Sequence, residues 1–417
     1  MEQLIDSSHL PPGQPVLFLP KFRMSPPASS SRLSLRLPWV DHLRTLVILL
    51  VVNMHACVTY SHVGDWYAMS AKEPSLVEKL PFIVWQGHLQ SFFMGLLFFV
   101  SGFFAEGSLA RRGTGAFVRE RLVRLGLPAL FYMLVIHPFI LLALNPWHAD
   151  FGPPFSYYLK YLRTGRFLGS SGPLWFAFAL LIFCLILVAW RAVRPAKPPS
   201  DSGTAGGMAA LVAPSGRLLW LFALGLGFGT FLVRLVQPIG TNILNLQLCF
   251  FVQYVAFFIA GLHAARTGWL LPLARSNQAR RAGWMALIGG PFLLLAVVVV
   301  GGRGVSRIED VFFGGWHWQA LGLALWEQLA GVGLSLGLLA LFSTRMNRET
   351  APLRWLADRS FAVYVLHAPI LVALFMLYRA LPQNPYVLAA LLTITGLVVS
   401  YAVADLARRL PGLRAIL

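Results

Sequence analysis

The sequence predicts an all-α polytopic membrane protein, a bundle of about ten transmembrane helices with both termini in the cytoplasm. Three observations predict it. Hydrophobic residues make up 57% of the 417 and charged residues only 12%, against about 45–50% and 25% in soluble domains. Ten apolar runs recur along the whole chain, each near the roughly 20 residues a helix needs to cross a bilayer. Between these runs, 23 Lys and Arg fall in segments on one side and seven in segments on the other. That asymmetry places the basic segments in the cytoplasm. The runs are continuous rather than alternating, which favours helices over a closed barrel, the other structure that satisfies its backbone in lipid.

The elements follow in order. Residues 1–37 are rich in Pro and Ser and are predicted to form a disordered cytoplasmic tail. The apolar patch Val16-Leu17-Phe18-Leu19 is too short to serve as a signal sequence, and Met24 is an alternative start. Spans are predicted at 42–61, 88–108, 125–144 and 173–190. A Pro-, Ser- and Gly-rich stretch within 191–217 then reads as a flexible cytoplasmic linker. Six more spans follow at 218–236, 245–265, 283–300, 319–343, 359–379 and 386–406, and residues 411–417 form a cytoplasmic tail. The membrane domain thus covers 38–410, and no internal repeat is evident.

The formal charge of +18 raises the possibility of nucleic acid, but the arginines sit in short clusters between apolar runs, so no nucleic-acid partner is expected. Cys57, Cys184 and Cys249 all lie inside apolar runs without metal-ligand spacing. They read as core residues, and no metal is expected.

The most informative pair lies in the first span. Arg44 and His55 are eleven residues apart, which returns both side chains to one helix face, about 20° apart and roughly 16 Å apart along the axis. Arg44 then lies near the cytoplasmic surface while His55 lies deep in the membrane, where an ionisable group is a functional candidate. The competing interpretation is a histidine bonded to a neighbouring helix.

This spacing, preceded by Trp39-Val40-Asp41-His42-Leu43, resembles the acyltransferase-3 family of membrane acyltransferases. Further matches follow in order: Phe98-Phe99-Val100-Ser101-Gly102-Phe103-Phe104, then Arg121-Leu-Val-Arg124 with Pro128, then Gly172-Pro-Leu-Trp175-Phe176. The last is Ser360-Phe-Ala-Val-Tyr364-Val-Leu-His367-Ala-Pro369. The resemblance spans about residues 38–406. Within the family the chain is most similar to the branch associated with succinylation of periplasmic glucans, through Glu73-Pro-Ser-Leu, His88-Leu-Gln-Ser-Phe and the Arg121 to Pro128 segment.

The resemblance implies an O-acyltransferase of a bacterial inner membrane. Its acyl donor would be cytoplasmic acyl-CoA, and its acceptor a sugar, glycan or glycolipid hydroxyl at the outer face. His55 would be the base, with Arg44, Arg121 and Arg124 holding the donor's phosphates, a task that suits the forked guanidinium. Arg121 and Arg124 also read as topology determinants, as do Arg111, Arg112 and Arg119.

The supporting candidates are Asp41, Ser101, Trp175, Glu327, Tyr364 and His367. Asp41 is placed to pair with Arg44 at i, i+3. Ser101 and Gly102 suit close helix packing better than nucleophilic attack, and Trp175 and Tyr364 also read as interfacial anchors. Glu327, deep in the eighth span, needs a partner or a cavity, and His55 is one candidate partner. His367 is a candidate for the same cavity, and His317, between Trp316 and Trp318, for a sugar at the outer surface. The alternative function is a transporter or flippase for a polar solute or glycolipid, using the same buried His and Arg.

Overall fold

In the computed structural model, residues 37–145, 153–194, 213–382 and 384–417 are described. Most of the predicted 1–37 tail and the centre of the 191–217 linker lie outside them. Among the described residues there is no strand, and ten helices are long and apolar enough to cross a membrane. They are α1 Pro38–Ser61, α2 Leu76–Arg112, α3 Thr114–Leu144, α4 Gly172–Val193 and α5 Gly216–Arg234. The others are α6 Leu248–Thr267, α7 Asn277–Gly301, α8 Trp318–Arg345, α9 Ala351–Tyr378 and α10 Pro385–Ala407.

Every predicted span has its helix, but several helices outrun the apolar stretch. α2 starts twelve residues before the predicted 88, because Ser75 and Glu78 form a reciprocal capping box that satisfies the first free N–H groups. Hydropathy sees only the part of a helix that lies in lipid. The last residues also carry a short helix, Leu413–Ile416, after α10.

Large apolar side chains remain exposed on the outward faces of the helices, among them Phe228, Phe292, Leu293, Ile394 and Val398. A bilayer is the solvent that tolerates such a surface. Inside, α1 is surrounded by α2, α8, α9 and α10, and α2 runs against α6 and α8. Small residues set these approaches. A Cβ on Gly102 of α2 would come 2.2 Å from the Phe258 carbonyl oxygen, and one on Gly261 of α6 would come 2.1 Å from that of Phe99. The two backbones touch where only glycine fits. Cys57, Cys184 and Cys249 are buried and free.

Three π-helical turns interrupt the helices, at Leu122–Gly126 and Tyr132–Ile136 in α3 and at Met285–Gly289 in α7. Each ends two residues before a proline, namely Pro128, Pro138 and Pro291. The ring removes the i to i−4 bond and crowds the carbonyl four residues back, so the preceding turn widens. Two of these turns lie beside the residues of the candidate site.

Candidate active site

The site divides between the two ends of α1. At its first turns, Arg44 projects with its side chain 51% exposed and meets Asp41 at 3.8 Å. A pair this open is worth about 0–1 kcal/mol, so Asp41 orients Arg44 without sequestering it. Arg121, just before the first wide turn of α3, and Arg124, within it, lie within electrostatic reach of Arg44. Arg121 sits over the Phe117 ring at 4.9 Å, and its buried Nε makes no hydrogen bond. Arg124 is half exposed and meets Glu120 at 3.7 Å, while Glu120 is engaged more closely by Arg112 at 2.7 Å. Three guanidiniums thus lie within electrostatic reach of one another, with only loose contacts to Asp41 and to Glu120, which Arg112 engages more closely; this is the electrostatics of an anion site.

Three helical turns further on, His55 is half-buried, and its Nδ1 is buried without a hydrogen-bond partner. Its ring stacks on Trp66 with centroids 3.8 Å apart and planes within 18°. Trp66 comes from the loop joining α1 to α2, which folds back over the helix it has just left. His367 of α9 is fully buried, with its ring centroid 5.4 Å from that of His55. Its Nδ1 bonds the Tyr364 carbonyl oxygen at 2.7 Å.

The fold-back loop is anchored through Tyr67. The Tyr132 hydroxyl donates to the Tyr67 hydroxyl at 3.0 Å, which in turn meets Nδ1 of His137 at 2.7 Å. Burial pushes the Tyr67 hydroxyl above its ordinary pKa, so it stays a proton donor. Gly172 closes over this pair with φ +48, and a Cβ there would lie 2.4 Å from the Tyr67 hydroxyl. The side-chain amide of Asn245 then donates to Ser171 Oγ and to the Gly172 carbonyl, both at 2.9 Å. The Tyr364 hydroxyl donates to the Pro173 carbonyl at 2.5 Å. The start of α4 is thereby stapled to α9 and to the loop before α6.

The structure brings together Asp41, Arg44, Arg121 and Arg124 at one end, and His55, His367 and Tyr364 further along. Trp175 is half-buried and stacks on Tyr254 at 5.6 Å. Ser101 is half-buried beside the α2–α6 contact. Glu327 is not joined to His55: its carboxylate receives Arg234 of α5 at 2.6 Å. His317 stands at the position before α8, its side chain making no capping hydrogen bond, between the exposed Trp316 and Trp318. Among the described residues, no three of His, Cys, Asp and Glu gather where a metal ion could be held.

Sequence reasoning missed Trp66, Tyr67, Tyr132, His137 and Asn245. The adjacent aromatic pair in a short polar loop and the Gly-Pro that opens α4 were the available signals, and neither names its partner.

Comparison with known proteins identifies the family. The chain is similar to glucans biosynthesis protein C of Escherichia coli O81 (strain ED1a) and of Escherichia coli (strain SMS-3-5 / SECEC). Each is 25% identical over 338 residues, covering 80% of this chain and 81% of the relative. No solved structure matches. Residues 37–405 match the family profile described as an acyltransferase domain. That match begins before α1 and ends within the last turn of α10, so it takes in both ends of the site. The chain therefore belongs to the acyltransferase-3 family and is an integral membrane O-acyltransferase.

Proposed function

We propose that the protein moves an acyl group from acyl-CoA, held at the Arg44 end, to a hydroxyl of a sugar, glycan or glycolipid that approaches from the Trp66 end. The membrane would be a bacterial inner membrane, with the Arg44 end in the cytoplasm. The observation that carries this reading is the alignment of Arg44 and the half-buried His55 along α1, about 16 Å apart by helical rise, with Arg121 and Arg124 of α3 beside the Arg44 end. The extended thioester arm of coenzyme A is a linear chain of similar length. Phosphates bound by Arg44, Arg121 and Arg124 then leave the thioester carbonyl beside His55.

The chemistry is a single acyl transfer. A neutral His55 takes the proton of the acceptor hydroxyl as its oxygen attacks the thioester carbonyl. The new C–O bond forms, the C–S bond breaks, and the departing thiolate receives the proton from the imidazolium. Neither substrate has to cross the bilayer whole. The relatives' name points to glucan as the acceptor class, and succinyl and acetyl groups are the first donors to try.

The test is thiol release by detergent-purified protein, with a panel of acyl-CoA donors and glycan acceptors and with His55→Ala alongside. Acceptor-dependent release that falls at least a thousand-fold in a folded His55→Ala protein is expected. Release indifferent to His55→Ala would overturn the assigned base, and no release with any donor would overturn the donor class.

A further inference from the structure

The three ring distances around His55 fix more than proximity. Trp66 lies 3.8 Å from His55 on its face, His367 lies 5.4 Å away, and Trp66 and His367 are 6.3 Å apart. These sides make nearly a right angle at His55. Since Trp66 occupies the direction normal to the imidazole, His367 lies beside it, in roughly the same plane and with its own plane turned by only 19°. The two imidazoles are edge to edge. No nitrogen–nitrogen hydrogen bond joins the rings as they stand. A pair joined by an N–H···N bond of about 3 Å nevertheless has almost this centroid separation, because each nitrogen stands roughly 1 Å from its ring centre, so a turn of the rings in place would form one.

The hydrogen bonds then assign the protons. A carbonyl oxygen only accepts, so the 2.7 Å contact to Tyr364 puts the His367 proton on Nδ1. Its Nε2 is left as a lone pair, and that atom is buried with no partner. His55 Nδ1 is likewise buried and unpartnered. One ring therefore offers an acceptor to a neighbour whose buried nitrogen needs one.

We propose that His367 is a positioning residue that accepts a hydrogen bond from His55 Nδ1–H, directly or through one water, and so fixes Nε2 of His55 as the basic nitrogen. This rests on the reading of His55 as the base. The relay runs from the Tyr364 carbonyl through His367 to His55. It does for a membrane enzyme what an orienting carboxylate does for the histidine of a hydrolytic triad. A neutral partner suits a site in lipid, where a second carboxylate would need its own counter-charge. Trp66 restrains the ring from its face while His367 restrains it from its edge.

Two measurements on the full-length protein test it. The ¹⁵N resonances of histidine-labelled protein, assigned by difference with His55→Ala, report the His55 tautomer without any turnover. A protonated Nδ1 and a bare Nε2 are expected, and the opposite tautomer would overturn the proposal whatever the variants do. In the thiol-release assay, His367→Leu should lower kcat about a hundred-fold with KM little changed. His367→Gln, whose amide oxygen reaches the position of Nε2, should recover at least ten-fold of that loss. Equal rates in both variants, or wild-type kcat in His367→Leu, would overturn the positioning role. Either result leaves the assignment of the base standing, since that falls only if His55→Ala keeps its activity.

Discussion

Among the buried polar side chains of this bundle, those around Glu327 and those around His55 differ in how charge is matched. Glu327 receives Arg234 at 2.6 Å on one oxygen and Gln328 at 3.3 Å on the other. Gln328 in turn accepts from Gln253 at 2.9 Å, and Gln253 also donates to the Ser91 carbonyl at 2.7 Å. The network ties α2, α5, α6 and α8 together, and the Arg234 guanidinium lies over the Phe250 ring at 5.2 Å. Around His55 the contacts are faces and edges of rings, and ring nitrogens are left unbonded. Depth alone does not separate structural from functional polar groups in a membrane. What separates them is the closing of charge. Both Glu327 oxygens are bonded and its charge is matched by Arg234, whose Nε and Nη1 still lack partners, whereas His55 Nδ1 and His367 Nε2 face no charged group at all among the described residues.

That contrast can be broken most forcefully at the ion pair. Glu327→Ala leaves a fully buried guanidinium without its counter-charge, and should destabilise the detergent-purified protein by about 3–5 kcal/mol. Replacing both partners, Glu327→Leu with Arg234→Met, should restore most of that loss. Thermal unfolding measures both. If the double variant retains stability but loses acyl transfer, the Glu327 network belongs to function and the contrast collapses.

The next effect is smaller and falls on the histidine side. Gly172→Ala would place a methyl group 2.4 Å from the Tyr67 hydroxyl and 2.5 Å from Tyr132 Cε1. Overpacking of this kind costs about 1–3 kcal/mol. Because Tyr67 anchors the loop that carries Trp66, kcat should fall beyond what unfolding explains. Activity at temperatures well below the transition separates the two. An unchanged kcat would mean that the ring stacked on His55 plays no part in turnover.

The smallest change sharpens the comparison at the far end of α1. Arg121→Gln and Arg124→Gln should each raise the KM for acyl-CoA about ten-fold and leave kcat nearly intact, as expected for loss of a charged hydrogen bond of about 1.5–3 kcal/mol. Higher ionic strength should weaken donor binding in the wild type in the same direction. An unchanged KM would return these arginines to the role of topology determinants.

How much of this was legible in the sequence depended on the distance over which each feature is encoded. The ten helices follow from local hydropathy, and the Arg44–His55 alignment from helical period alone. The twelve extra residues at the start of α2 were missed because a cap built from Ser75 and Glu78 extends a helix where hydropathy is silent. Glu327 was legible as a buried acid in need of a partner, yet its partner Arg234 stands 93 positions away and nothing local points to it. Trp66 was hidden for a related reason: only a loop doubling back on its own helix puts an indole on His55. His367 could be suspected from its motif, but the edge-to-edge geometry exists only once α1 and α9 are packed.

The wide turns of α3 have a consequence for phase. An ordinary α-helix advances about 100° per residue, and a π turn accommodates one residue more than an α turn would. With one such turn at Leu122–Gly126 and another at Tyr132–Ile136, α3 is rotated in two steps along its length. Arg124 lies inside the first step, and Tyr132 opens the second. The helix works like a key with two cuts: the first inserted residue sets the angular offset between its arginine end and Tyr132, and the second that between Tyr132 and His137. Removing one residue from either turn would preserve the side chains of both ends while swinging one of them about 100° away from its partners.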